Sequence, residues 1–333
     1  MAPDGIGSIN PEDAPYLDPQ LVHDPEWLLN DSKPRGREHA IIYRLSPSSL
    51  VQMIRHPRDF TFVDKSFAFG SDEEFFRLTR RFCEFSEPTA EESFCRVTSK
   101  QPRNGRALAL ATGPSAEAID RSEFEADLRI TCNSAIRDRS LLEEMRPNLI
   151  AFSDPVFHFG PSRYASQFRR DLKRVFESSD AIFVTSSYFV APLLIAMPEI
   201  ADRLAVFTLT SGIDWAWPNQ PETKLRSTGN VLTNLMLPIA CALANEVRIG
   251  GCDGRNPNEN YFWRHNPARQ YDDDLMGSAF RSNPGFFKYR VYKDYYATHC
   301  AELENLISNA EAEGRRIYTV TPSFIPALAE RAV

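Results

Sequence analysis

The 333-residue chain has no apolar run long enough to cross a membrane. Its opening, MAPDGIGSINPEDAPYLDP, lacks a basic start and an apolar stretch, so no secretory signal is expected. Its six cysteines (Cys83, Cys95, Cys132, Cys241, Cys252 and Cys300) include no Cys-x-x-Cys pair. Scattered thiols point to a reduced, cytoplasmic protein and away from a disulfide framework or a structural zinc site. Lys and Arg number 38 against 45 Asp and Glu, a net charge of −7 that removes any general attraction to nucleic acid. A small anionic substrate needs only one local basic patch. No internal repeat is present, and no carboxylate pair is spaced to hold Mg²⁺ or Mn²⁺, so metal independence is expected.

Hydrophobic residues make up 42% and charged residues 25%, a balance that supports a globular core. The first thirty-odd residues are rich in Pro, Asp and Asn and read as an extended lead-in. SSLVQMIRHP is expected to form a short helix stopped at Pro57. SDEEFFRLTRRFCEF is the better helix candidate: Ser71 can cap it, acids occupy its first turn, and Phe75, Leu78, Phe82 and Phe85 recur at helical spacing. The polar stretch Arg96 to Arg106 reads as a boundary. It separates a small, mainly helical N-terminal region (1–100) from an α/β domain (106–330).

Beyond residue 106 the pattern alternates. Strands are expected at 106–112, 127–133, 147–154, 181–186, 204–210, 246–253 and 315–322. Helices are expected at 115–121, 136–145, 162–178, 190–200, 230–245 and 293–314. Nearly continuous apolar strands separated by helices predict an α/β fold: a doubly wound, mostly parallel, Rossmann-like sheet. Ligands in such sheets bind beyond the carboxyl ends of the strands. Small and polar residues lie there: Thr112-Gly113-Pro114-Ser115, Asn133, Asp154, and Gly251-Cys252-Asp253.

The strand–TGPS–helix unit looks like a nucleotide-binding turn but has neither GxGxxG nor a P-loop lysine. Ser115 as helix cap would leave the helix N-terminus open to an anion, and an ordinary strand-to-helix turn explains the residues equally well. Asn133 can read a base or ribose and Asp154 can accept from a sugar hydroxyl; each also serves as a loop cap. Ser227 or Thr228, with Gly229, opens the apolar helix 230–245 and offers a second N-terminus for a phosphate. Residues 254–298 form a connection far longer than an α/β unit needs, which predicts a lid or a packed subdomain. In it Tyr261, Arg264 and His265 are candidates to close over a substrate, Arg264 by pairing with a carboxylate or phosphate. His299, just beyond, is a candidate general base; a structural histidine is the alternative, and His158 the weaker rival.

Taken in order, ALATGPSAEAID, CNS, NLIAFSDPVFHFGPSRYASQF, STGNVLTNLMLPIACALANEVRIGGCD, a lid and AEGRRIYTVTPS resemble the bacterial sialyltransferases of glycosyltransferase family 42 and related Kdo transferases. The resemblance spans about 110 to 325 by pattern rather than identity. It implies a sialyltransferase-type fold and a CMP-sugar donor of the sialic acid or Kdo class with no other cofactor. It further implies a glycan or glycolipid acceptor from lipopolysaccharide or capsule, and work at the inner face of the membrane through peripheral association. A homo-oligomer is compatible with it.

The family's Gly-Asn-Gly-Pro-Ser turn is matched by Gly113, Pro114 and Ser115, with Thr112 in place of its asparagine. Its asparagine after strand two is matched by Asn133. Its asparagine after strand three is Asp154 here, which leaves inversion or retention open. Its Thr-Ser-Gly corresponds to Ser227, Thr228 and Gly229, and its Gly-Ile-Asp to Gly251, Cys252 and Asp253. Two family tyrosines assist phosphate departure; Tyr261 is the loose match, with His265 or Arg264 as substitutes. The family's base corresponds to His299. A pterin-type pyrophosphokinase, which shares the strand–GPS pattern and Asp-Pro after strand three, and a non-catalytic glycan- or nucleotide-binding module are the alternatives.

Overall fold

A computed structural model describes residues 40–42, 60–62, 86–99, 104–159, 163–219, 224–254, 271 and 292–333. The helices expected at SSLVQMIRHP and SDEEFFRLTRRFCEF, and the candidates Tyr261, Arg264 and His265, lie outside these residues. Two three-residue strands, β1 (Ala40–Ile42) and β2 (Phe60–Phe62), pair in parallel.

The domain is built on one eight-stranded sheet. Its strands are β3 (Gly105–Leu110), β4 (Leu128–Cys132), β5 (Leu149–Ala151), β6 (Ile182–Ser186), β7 (Leu204–Thr210), β8 (Lys224–Arg226), β9 (Ala244–Gly250) and β10 (Arg316–Thr319). The spatial order is β10-β9-β3-β4-β5-β6-β7-β8, and every pairing is parallel. The chain lays down β3 to β8 outward, then returns so that β9 lands on the other side of β3. That reversal makes the carboxyl ends of β3 and β9 the topological switch point.

Alternation along β3 shows why the strands read as continuous apolar runs. Ala107 and Ala109 face a core shared with Leu232, Met236 and Ile307, whereas Leu108 and Leu110 face Ile119, Leu141 and Met145. All four are fully buried. A strand covered on both faces has no side left for polar residues. The helices are α1 (Ala90–Thr98), α2 (Arg139–Met145), α3 (Pro155–Phe159), α4 (Arg163–Ser178), α5 (Val190–Ala196), α6 (Leu237–Leu243), α7 (Tyr292–Ala312) and α8 (Pro326–Ala329).

Three local outcomes differ from the sequence expectations. The helix expected at 115–121 is a five-residue 3-10 turn, Pro114–Ala118. The helix expected at 230–245 opens with a π turn, Leu232–Met236, before α6. The polar stretch expected as a boundary begins inside α1. This helix starts at a complete capping box: Thr89 Oγ1 accepts from Glu92 N–H, and Glu92 Oε2 accepts from Thr89 N–H. It is held on the sheet because Ser93 Oγ accepts from the Val206 amide at 2.9 Å, and Arg96 donates to the carbonyls of Ala201 and Leu204.

Candidate functional site

The loops after β3, β9 and β10 are joined at the switch point. β3 and β9 keep pairing past their ends, through Ala111 N–H to Gly250 O and Gly113 N–H to Gly251 O. Gly113 has an ordinary φ of −65°, so it is glycine for room rather than conformation. A Cβ there would run into the Asp253 carboxylate and the Gly251 carbonyl. Gly251 is left-handed at φ +66°, and its Cβ would strike the Ala111 carbonyl. The Asp253 carboxylate accepts from Ser115 N–H and Ser115 Oγ–H, both at 2.9 Å. Thr321 Oγ1 accepts from Gly251 N–H and bonds Ser115 Oγ at 3.0 Å. Ser323 Oγ–H donates to Cys252 O and Phe324 N–H to Asp253 O, which fixes the β10 loop to the same rim.

This geometry corrects the expected role of Ser115. Its side chain does not cap the turn; it donates to Asp253, and its amide is occupied by the same carboxylate. Cys252 is buried beneath the rim, and burial raises its thiol well above the usual range. Thr112 and Pro114 flank Gly113 and are both partly buried.

The second helix start is also corrected. Asn230 Oδ1, not Ser227 or Thr228, accepts from Leu232 N–H at 2.9 Å. Asn234 Oδ1 accepts from both the amide (2.7 Å) and the hydroxyl (2.8 Å) of Thr228. Ser227 N–H continues the sheet by donating to Thr210 O. Gly229 turns at φ +78°.

The first turns of α7 bridge these two loops. Tyr295 OH donates to Gly229 O at 2.7 Å, while the Tyr296 hydroxyl lies where a Cβ on Gly254 would fall. His299 lies four residues from Tyr295 and three from Tyr296, on the same helix face. Three residues further, Glu302 forms a two-pronged ion pair with Arg226. That face therefore runs along the Arg226–Gly229 segment. His299 is buried, and desolvation lowers its pKa to about 4, so its imidazole is neutral near pH 7. Its Nδ1 is buried without a hydrogen-bond partner. α7 begins at Tyr292, within the span expected for the lid.

A third group lies at the ends of β4 and β5. Asn133 is left-handed at φ +46°, and its Oδ1 is buried without a partner. Asp154, partly buried, precedes α3; burial raises the pKa of both Cys132 and Tyr164, and the Asp154 charge adds to the rise. His158 stacks on Phe168 at a centroid distance of 3.8 Å inside an aromatic core, where burial lowers its pKa to about 3. Its Nδ1, like that of His299, is buried without a hydrogen-bond partner, but its ring is packed against Phe168. Tyr271, the described residue between 254 and 292, is buried; its hydroxyl donates to Asp171 and its ring packs on Tyr164 and under Arg137.

The structure thus brings Gly113–Ser115 and Gly251–Asp253 together directly, and joins them through α7 to Thr228, Gly229 and His299. Asn133 and Asp154 sit at neighbouring strand ends. Sequence reasoning missed Tyr295, Tyr296 and Arg137. The adjacent tyrosines four and three residues before His299 were a usable signal; Arg137 had none.

No protein-family model matches the chain, and no curated protein matches it. Among solved structures, the chain is similar to a point variant of the sialyltransferase CST-II in complex with CMP. Identity is 13% and the TM-score 0.36, with 68% of this chain and 88% of that chain covered.

Proposed function

We propose that the protein is a glycosyltransferase that takes a sialic acid or Kdo-class sugar from its CMP-activated form to a glycan acceptor. The observation that carries this reading is the α7 face. Tyr295 holds the Gly229 carbonyl, Tyr296 abuts Gly254, and one turn on lies a neutral, buried histidine with an unpaired Nδ1. Beside the Thr228–Gly229 loop this imidazole is neutral and so free to accept a proton; burial, which holds its pKa to about 4, weakens it as a base until charge developing in the transition state raises its proton affinity. The ordered sequence motifs supply the donor class.

Transfer of such a sugar passes through an oxocarbenium-like state as CMP departs. The enzyme must stabilise the departing phosphate and take the acceptor proton. In this reading His299 takes that proton and Tyr295 and Tyr296 stand at the departing group. Asp154 either orients the donor or attacks its anomeric carbon, and no metal is required.

The test is turnover of a CMP-sugar with a glycan acceptor in the presence of a chelator. His299→Ala should lose roughly 10²–10⁴-fold in kcat while CMP affinity holds, the range expected for a general base. Unchanged turnover removes His299 from the role. Stabilisation by ATP with Mg²⁺, and none by CMP, would instead support the pyrophosphokinase reading.

A further inference from the structure

Both helix starts that might have faced a phosphate are occupied by the protein's own side chains. Asp253 takes the Ser115 amide, and Asn230 takes the Leu232 amide. With those amides taken, an anionic ligand at this edge would draw on a side-chain cation. Arg226 is committed to Glu302, Arg248 to Glu123 and Glu246, and Arg174 to Asp171. Arg137 is not committed in this way. Its Nη1 is buried and has no hydrogen-bond partner.

One neighbouring carboxylate, Asp171, is in use elsewhere. The Asp171 carboxylate receives Arg174 at 2.5 Å and the Tyr271 hydroxyl at 2.9 Å. The guanidinium rests 4.9 Å from the centroid of the Tyr271 ring, which holds the group in place but accepts no hydrogen bond in its plane. A buried cationic N–H without an acceptor costs more than a neutral one, so it calls for a bound partner. On the same five-residue turn, Asn133–Arg137, the Asn133 Oδ1 is a buried acceptor without a donor. Asn133 is also held at φ +46°, a conformation that asparagine adopts only at some cost. One short turn thus carries an unmatched donor and an unmatched acceptor.

We infer that Arg137 is the anion receptor of this site: it takes an oxyanion of the ligand, phosphate or carboxylate, while Asn133 accepts from an adjoining hydroxyl. This deepens the CMP-sugar reading, since such a donor carries both anions beside hydroxyls, and it rests on that reading only for the ligand's identity.

Four ligands titrated into wild type, Arg137→Ala and Arg137→Lys test it: CMP, cytidine, inorganic phosphate and glycolate. Wild type should prefer CMP to cytidine. Arg137→Ala should reduce that preference by about 10- to 100-fold, the scale of a hydrogen bond to a charged group, and Arg137→Lys should recover part of it. Loss of phosphate discrimination identifies the phosphate as the anion; loss confined to glycolate identifies the carboxylate. Neither loss, in a variant with a native far-UV spectrum, overturns the proposal.

A second measurement needs no variant. Phenylglyoxal labelling of Arg137 in the wild-type protein, mapped by mass spectrometry, should be suppressed by phosphate or glycolate. Labelling that no anion suppresses also overturns the proposal. Protection by phosphate in a protein that binds neither CMP nor cytidine would sustain Arg137 as the receptor and remove the CMP-sugar reading.

Discussion

Gly251→Ala should be among the costliest single-methyl additions in the molecule, and the structure separates the cost into two parts. Gly251 has φ +66°, where an alanine pays roughly 1–2 kcal/mol for the left-handed backbone. The new Cβ would also strike the Ala111 carbonyl and come within 2.8 Å of the Ala116 Cβ. The first of these belongs to the backbone at the end of β3, which is hydrogen-bonded to β9 and cannot swing away. Overpacking of that kind adds about 1–3 kcal/mol. The sum is about 2–5 kcal/mol. Gly314→Ala is the control, because Gly314 also has a positive φ (+85°) but nothing within 4 Å of the added methyl. It should lose only the backbone part. Urea unfolding followed by tryptophan fluorescence gives both values, with the slope m expected to stay constant. If Gly251→Ala costs no more than Gly314→Ala, the close approach of the two strand ends is not what the structure describes, and the reasoning about the joined rim fails.

Stability should also fall on acidification. His299 and His158 have folded pKa values near 4 and 3, both below the ordinary 6.5, so the unfolded chain binds protons that the folded one refuses. Their contribution is complete above about pH 6.5 and is lost as the pH falls towards the folded values. Between pH 7 and 4.5 each should remove roughly 2–3 kcal/mol, and His299→Gln should shrink the fall by one proton's share; an identical fall in the variant would show that His299 is not buried neutral. Ser93→Ala leaves the Val206 amide without its acceptor and should cost about 1–3 kcal/mol, read from the urea midpoint. A neutral result would mean that α1 is not held on β7 through that hydroxyl.

The parallel α/β architecture was legible because both faces of the sheet are covered. Stretches such as Ala107–Leu110 and Ile182–Ser186 could only be written in buried residues. β8 escaped notice since it is three residues long, has a charge at each end, and exists by virtue of its register with β7. α1 had a visible signal in Thr89 and Glu92, but its polar last turn merged with the link that follows. The strand-end residues were found because strand ends are where small polar residues interrupt apolar runs. Their partners were not. That Asp253 would meet Ser115, 138 positions away, or that Asn230 would take the amide expected to be open, depends on how loops cross in space. Arg137 is an ordinary surface-type residue in the sequence; its buried, unpartnered Nη1 and the commitment of Asp171 to Arg174 and Tyr271 set it apart.

The ends of the sheet bear on how copies of this chain can meet. One margin is β8, whose short ladder is flanked by Lys224 and Arg226. The other is β10, where Thr319 already donates to Arg331 and accepts from Val333, so the tail occupies part of that margin. A neighbour seeking to add a strand beside β10 would find Thr319 already paired within the chain, a condition under which strand addition there is disfavoured. Among the described residues, the tail thus guards one margin of the sheet against extension from one subunit to the next.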